Sequence, residues 1–215
     1  VSTGGADHAN GLGFAHAFER GTAADTLLVL HATGGDEHQL LPLARRLAPA
    51  ANLLAPRGKV MEGGVTRRFF ARRSMLDLDI DDLALAADEL AQFVADATGA
   101  YGLDPSRVTA LGYSNGANAA VGVLFRHAGT LAGAALLRPV MPYEPGDIAS
   151  LEGTRVLIAA GTHDPYCAPA ATERLGKVLT DAHADVVTSV ADAAHELVER
   201  DLLVTAEWLG APAGG

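Results

Sequence analysis

The stretch Val108-Thr109-Ala110-Leu111-Gly112-Tyr113-Ser114-Asn115-Gly116-Ala117-Asn118-Ala119-Ala120 decides the fold. An apolar run ends in Gly112-Tyr113-Ser114-Asn115-Gly116 and gives way to small residues, the pattern of a strand turning sharply into a helix around Gly-x-Ser-x-Gly. The two glycines have a mechanical task. The turn is so tight that a Cβ at either flank would collide with the neighbouring strand or helix, while the serine is forced out at the apex. Ser114 is therefore the first candidate nucleophile.

Outward from this turn, apolar runs alternate with longer amphipathic stretches. No internal repeat, low-complexity block or linker divides them, so residues 1–215 are read as one domain. Strands are expected at 13–18, 26–31, 52–55, 107–113, 133–137, 155–160 and 185–190, and helices at 38–47, 79–98, 115–127, 170–182 and 196–209. Strand, helix, strand in repetition implies an α/β fold, a mostly parallel sheet of about seven strands with right-handed crossovers. The helix at 79–98 shows its period best, with Leu83, Ala86, Leu90, Phe93 and Ala97 on one stripe. Its acidic start, Asp77, Asp79, Asp81 and Asp82, complements the helix dipole and lacks the glycine that an EF-type calcium loop needs. Residues 56–78 are the least regular part of the chain, and a loop of that length in a compact domain is often functional.

Composition agrees with this layering. A chain of 215 residues buries a large core without disulfide or metal staples, and 49% hydrophobic content with only 5% aromatics means a core of Ala, Leu and Val. Such a core suits parallel strands covered by helices on both faces. The net charge of -10 argues against binding a phosphate backbone, so no nucleic-acid partner is expected. Cys167 is the only cysteine, so no internal disulfide forms and a reducing compartment is expected. The opening Val1-Ser2-Thr3-Gly4-Gly5 lacks a basic segment followed by an apolar one, and no run reaches the ~18 residues of a membrane span. The expected location is the cytoplasm.

A serine hydroxyl is a weak nucleophile until a base takes its proton, and the usual base is an imidazole held by a carboxylate. After Ser114, the first acid just beyond an expected strand is Asp164, in Gly161-Thr162-His163-Asp164-Pro165, and the strand after that leads to His195, in Ala193-Ala194-His195-Glu196. All three then lie beyond the carboxyl ends of parallel strands, where open α/β sheets bind ligands. A competing set would use His163 or His183 as base and Asp147, Asp185 or Asp192 as acid. His183 falls before its strand, at the wrong end of the sheet, and His163 adjoins the acid instead of facing it. Acyl transfer also needs donors aimed at an oxyanion. One is the N–H of Asn115, at a helix N-terminus. The other is expected from Thr33, in the loop His31-Ala32-Thr33-Gly34-Gly35-Asp36 that follows an early strand, with His31 pinning that loop by hydrogen bonding.

With these pieces in place the chain resembles the small bacterial carboxylesterase/phospholipase branch of the α/β-hydrolases, which includes acyl-protein thioesterases and dienelactone-hydrolase-like enzymes. The resemblance rests on the His31 to Asp36 loop, Pro56-Arg57-Gly58, the turn at Ser114, Arg138-Pro139, Gly161-x-x-Asp164 and His195, in the family's order along nearly the whole chain. Two departures stand out: Ala32 and Ala194 occupy positions where the family commonly has glycine. A Cβ at 32 restricts the oxyanion loop to negative φ. Dienelactone hydrolases carry cysteine where this chain has Ser114, which argues against their chemistry.

The resemblance implies an α/β-hydrolase fold and a serine esterase without metal or cofactor, acting on a small-molecule ester. Thioester or lysophospholipid hydrolysis would use the same parts, and a non-catalytic protein binding a ligand in the same cleft is the contrasting class. Short later connections leave no room for a large helical lid, so the pocket is expected to be open, and an open apolar rim would be consistent with a homodimer. Its walls are expected to include part of residues 57–78, with Arg57, Phe69 and Phe70 as candidates, and Arg138, Met141 and Tyr143. Arg67-Arg68-Phe69-Phe70-Ala71-Arg72-Arg73 mixes four guanidinium groups with two aromatic rings, a cluster that could attract an anionic or aromatic ester. The preferred reading of that run is the other one, arginines paired with acids at the surface while both Phe enter the core.

Overall fold

In chain order the elements are β1 (His16–Glu19), β2 (Thr26–Leu30), α1 (Leu41–Leu47), β3 (Asn52–Pro56), β4 (Val60–Glu62), β5 (Thr66–Arg68), α2 (Ile80–Tyr101), β6 (Val108–Tyr113), α3 (Asn115–Arg126), β7 (Gly133–Leu137), β8 (Arg155–Gly161), α4 (Pro169–Asp181), β9 (Asp185–Ala191) and α5 (Glu199–Gly210). They come from a computed structural model that describes residues 11–210; the Val1 to Gly5 opening read above lies outside them. Seven strands form one sheet in the order β1-β3-β2-β6-β7-β8-β9, and every neighbouring pair is parallel except β1 with β3. Among the described residues no helix is long and apolar enough to cross a membrane.

Successive residues of a strand point to opposite faces of the sheet, and here both faces are apolar. Leu28 and Leu30 of β2 and Ala110 of β6 join the core under α2, α3 and α4, while Leu27, Val29 and Leu111 join the core under α1 and α5. This two-sided burial is why the strands read as unbroken apolar runs.

Helix α3 is buried from Asn115 to Phe125. It sits so close to the sheet that a Cβ on Gly116 would stand 2.1 Å from the Leu30 carbonyl oxygen, and one on Gly112 would stand 2.7 Å from the Ala117 nitrogen. Outside it, α2 packs across the α3 surface, with Leu83 and Ala87 against Gly122. The acidic start of α2 is a cap: the Asp79 carboxylate accepts from Asp82 N–H at 3.2 Å, and the Asp82 carboxylate accepts from Ala71 N–H at 2.6 Å. Gly102, at φ 61°, ends the helix.

Residues 56–78 are more ordered than their sequence suggests. Strands β4 and β5 form an antiparallel hairpin, turned by Gly63 and Gly64 at φ 60° and 76°, and Arg72 bridges to Leu78. Helix α1 starts at Leu41, later than expected, with Pro42 in its first turn.

Replacing Gly116 with alanine is expected to push α3 off β2 and lower stability by about 1–3 kcal/mol or more. Urea denaturation of Gly116→Ala measures this; a midpoint equal to wild type would show that the helix does not need its close approach.

Candidate active site

Ser114 follows β6, Asp164 follows β8 and His195 follows β9, so all three stand beyond the carboxyl edge of the sheet. The elbow holds Ser114 at φ 53°, a left-handed conformation rare for a residue with a Cβ, and its N–H donates to the Leu137 carbonyl at 2.9 Å. Its Oγ lies 2.8 Å from His195 Nε2, and His195 Nδ1 lies 2.8 Å from Asp164 Oδ2. The Asp164 side chain is 2% exposed and that of His195 24%. The second Asp164 oxygen accepts from Tyr166 N–H at 2.9 Å, which fixes the carboxylate toward the ring. Of the competing groups, His163 faces Asp192 at 3.0 Å on the surface, and His183 precedes β9 at the opposite edge.

The loop carrying His195 is anchored from below by Arg138, whose side chain is fully buried. Its guanidinium donates to the carbonyls of Ala194 at 3.1 Å and Glu196 at 2.8 Å, on either side of the histidine. It also donates to both oxygens of Asp201, at 2.9 and 2.7 Å. Tyr113 stacks on the imidazole and donates to the His195 carbonyl at 2.9 Å, and Tyr166 meets the ring edge-on.

The loop after β2 is held as firmly. His31 Nε2 accepts from Gly58 N–H at 2.9 Å, so Nδ1 carries the proton that goes to the Ala32 carbonyl. Ala32 N–H donates to Gln39 at 2.8 Å, Gly34 N–H to the Arg67 carbonyl at 2.8 Å, and Arg68 to the Thr33 hydroxyl at 2.8 Å. The Asn115 side-chain oxygen accepts from Phe69 N–H at 2.7 Å. Among the described residues, neither Thr33 N–H nor Asn115 N–H donates to a protein group. The loop needs no strain at Ala32, because the positive φ falls on Gly34, at 82°.

These residues border a cleft of about 770 Å³ whose wall includes Ser114, His195, Thr33, Asn115 and Met141. Several expected wall residues lie elsewhere. Phe69 and Phe70 are 4% and 0% exposed, because the backbone turn after β5 sends both rings into the core. Arg57 binds the Glu37 carboxylate instead of facing the cleft. Tyr143 packs edge-on against Phe125. Arg138 does border the cleft as expected, with its guanidinium reaching beneath the His195 loop. Tyr166, by contrast, is on the wall without having been singled out, and Arg68 and Arg72 of the arginine run border it as well.

Similarity to known proteins fits this geometry. No family model matches the chain. MhqD of Bacillus subtilis (strain 168), provisionally named a hydrolase, is 39% identical over 193 residues, covering 90% of this chain and 96% of MhqD. A Bacillus cereus carboxylesterase is 38% identical with a TM-score of 0.90, the match covering 94% of this chain and 95% of that one. The chain belongs to the α/β-hydrolases. Within them, a Mesorhizobium loti carboxylesterase is 31% identical with a TM-score of 0.86, covering 94% and 97% of the two chains.

Two variants test the scaffold of this hydrolase site. Arg138→Met leaves Asp201 as a buried charge without its partner, and a loss of about 3–5 kcal/mol is expected in chemical denaturation; an unchanged midpoint would refute the buried pair. Glu37 is held at a pKa of about 2, below its ordinary 4.5, chiefly by its hydrogen bond from Arg57. A depressed carboxylate adds stability above its unfolded pKa and loses it as pH falls toward the folded one. Wild type should therefore lose more stability than Glu37→Gln between about pH 4.5 and 2, and parallel stability curves for the two would contradict the pairing.

Proposed function

We propose that this α/β-hydrolase is a serine carboxylesterase that cleaves small or medium esters through an acyl-enzyme. The observation that carries the reading is the relay Ser114 Oγ, His195 Nε2, His195 Nδ1, Asp164 Oδ2, with 2.8 Å at each hydrogen bond. His195 takes the Ser114 proton as Oγ attacks the ester carbonyl carbon, and the Asp164 carboxylate favours the imidazolium that forms. The N–H groups of Asn115 and Thr33 donate to the tetrahedral oxyanion. The intermediate collapses, the alcohol leaves with the proton from His195, and water, deprotonated by the same imidazole, releases the acid.

The names of the similar carboxylesterases support this reaction class. A cytoplasmic setting belongs to the same reading, supported by the free thiol of Cys167, which is buried beyond the acid loop.

A fluorophosphonate probe should label the wild type and leave Ser114→Ala unlabelled, and the same variant should lose about 10⁴-fold or more in kcat on a p-nitrophenyl ester. A wild type that resists the probe, or a variant that keeps wild-type turnover, would overturn the proposal. Running a thioester and a lysophospholipid beside the p-nitrophenyl series separates the three substrate classes.

A further inference from the structure

The arginine run that starts in β5 divides in a way its sequence does not reveal. Arg67 donates to the Gly58 carbonyl at 3.0 Å, and Arg73, largely exposed, stands 3.6 Å from Asp79. Arg68 and Arg72 instead form part of the cleft wall, on the same wall as Ser114 and His195. Their side chains are only 4% and 19% exposed, so neither is a solvated surface charge.

These two guanidinium groups share one carboxylate. Arg72 Nε donates to Glu62 Oε1 at 2.9 Å, whereas Glu62 Oε2 is buried, accepts no hydrogen bond and lies 3.7 Å from Arg68. Arg68 donates its other bonds to neutral oxygens, Thr33 Oγ1 and the Phe70 carbonyl. Burial, then the neighbouring Arg72, pushes the Arg68 pKa below its ordinary value, the signature of a cation short of negative charge. One further donor is unsatisfied at the wall: Asn115 Nδ2 is buried with no partner, its orientation fixed because Oδ1 accepts from Phe69 N–H. Among the described residues the one acid on the wall is Asp77, exposed to solvent. In a chain of net charge -10, Arg68 and Arg72 on the cleft wall thus share the one partly exposed carboxylate of Glu62, while Arg138, which also borders the cleft, is paired with Asp201. The wall also carries apolar side chains, with Met75 and Leu76 at 52% and 70% exposure and Leu78 and Met141 among them.

We propose that the cleft selects esters that carry a carboxylate at the end of a short apolar stem, with the guanidinium groups of Arg68 and Arg72 binding that carboxylate while the ester carbonyl meets Ser114. This deepens the esterase reading and rests on it for the reaction, but the binding half stands by itself. A planar guanidinium fork matches a carboxylate through paired charge-assisted hydrogen bonds, and a low-dielectric wall strengthens them. The reaction that supplies such a substrate would leave one free carboxylate beside an ester.

Matched ester pairs test it. On the acyl side, 4-nitrophenyl hydrogen glutarate is compared with 4-nitrophenyl pentanoate; on the alcohol side, 4-acetoxybenzoate is compared with 4-methylphenyl acetate. Wild type should favour the anionic member of at least one pair in kcat/KM, and Arg72→Gln should lower that anionic-to-neutral ratio about tenfold or more, with Arg72→Lys restoring part of it. The pair that responds tells which side of the ester bears the charge. A wild type that favours both neutral esters, or a ratio unmoved in Arg72→Gln, overturns the proposal. Calorimetry on Ser114→Ala with monomethyl glutarate and methyl pentanoate separates the two readings. Binding of the anion alone, lost on adding Arg72→Gln, supports the site even if wild type turns over no ester, in which case the esterase reading falls. Failure to bind the anion while neutral esters are hydrolysed overturns the anion site and leaves the esterase reading intact.

Discussion

Everything at the candidate site hangs on the approach of α3 to β2 and β6. The helix can leave β6 in a turn tight enough to expose Ser114 only if nothing projects at Gly112 and Gly116, where a Cβ would meet backbone at 2.7 and 2.1 Å. Backbone atoms yield far less readily than side-chain tips, so the constraint is close to absolute. The same approach brings the first turn of α3, with the free N–H of Asn115, beside the loop that leaves β2. A helix N-terminus thereby points its unpaired donors at the space above Ser114. The close packing and the electrostatics have one cause.

The second support is the segment from Gly58 to Phe70. Alone, a hairpin of two three-residue strands is marginal. Here it is tied to both candidate oxyanion donors: through Gly34 and Thr33 on the β2 loop, and through the Asn115 side chain on α3. The Phe69 ring lies against His31, with centroids 4.5 Å apart, so the hairpin, the loop and the helix share one packing unit. A displacement of the hairpin would reach the oxyanion loop before it reached the core. That coupling also puts Arg68 on the cleft wall, since the residue that bonds Thr33 cannot be far from where the oxyanion forms.

Much of this was legible in the sequence for identifiable reasons. The strands inside the large sheet, β2, β3, β6, β7 and β8, are short, mostly apolar runs, and the elbow glycines report a steric demand that few other structures make. Ser114, Asp164 and His195 follow β6, β8 and β9 in turn, so a correct strand assignment brings them to one edge. The hairpin was not legible, because three residues are too few for alternation to register; Gly63-Gly64 was the available signal. Side-chain direction was the other gap. Phe69 and Phe70 lie at the cleft in the chain but turn away from it into the core, Arg138 borders it while its guanidinium runs beneath the His195 loop, and Tyr166 turns toward it from two positions beyond the acid. Spacing places a backbone and leaves the rotamer to packing.

Arg138 shows why that gap matters. A buried ion pair is weak support for stability, since well-packed apolar residues of similar volume often do as well. Asp201 would then be a poor reason to bury a guanidinium completely. The carbonyls of Ala194 and Glu196 supply a better one: they flank His195 on a loop with no ladder of its own, and a donor from the buried guanidinium fixes where each one points. A planar group with five donors meets both while Asp201 fixes its plane. An apolar substitute would fill the volume and leave the histidine loop unanchored, so the pair is better understood as setting the position of the imidazole than as holding the fold together.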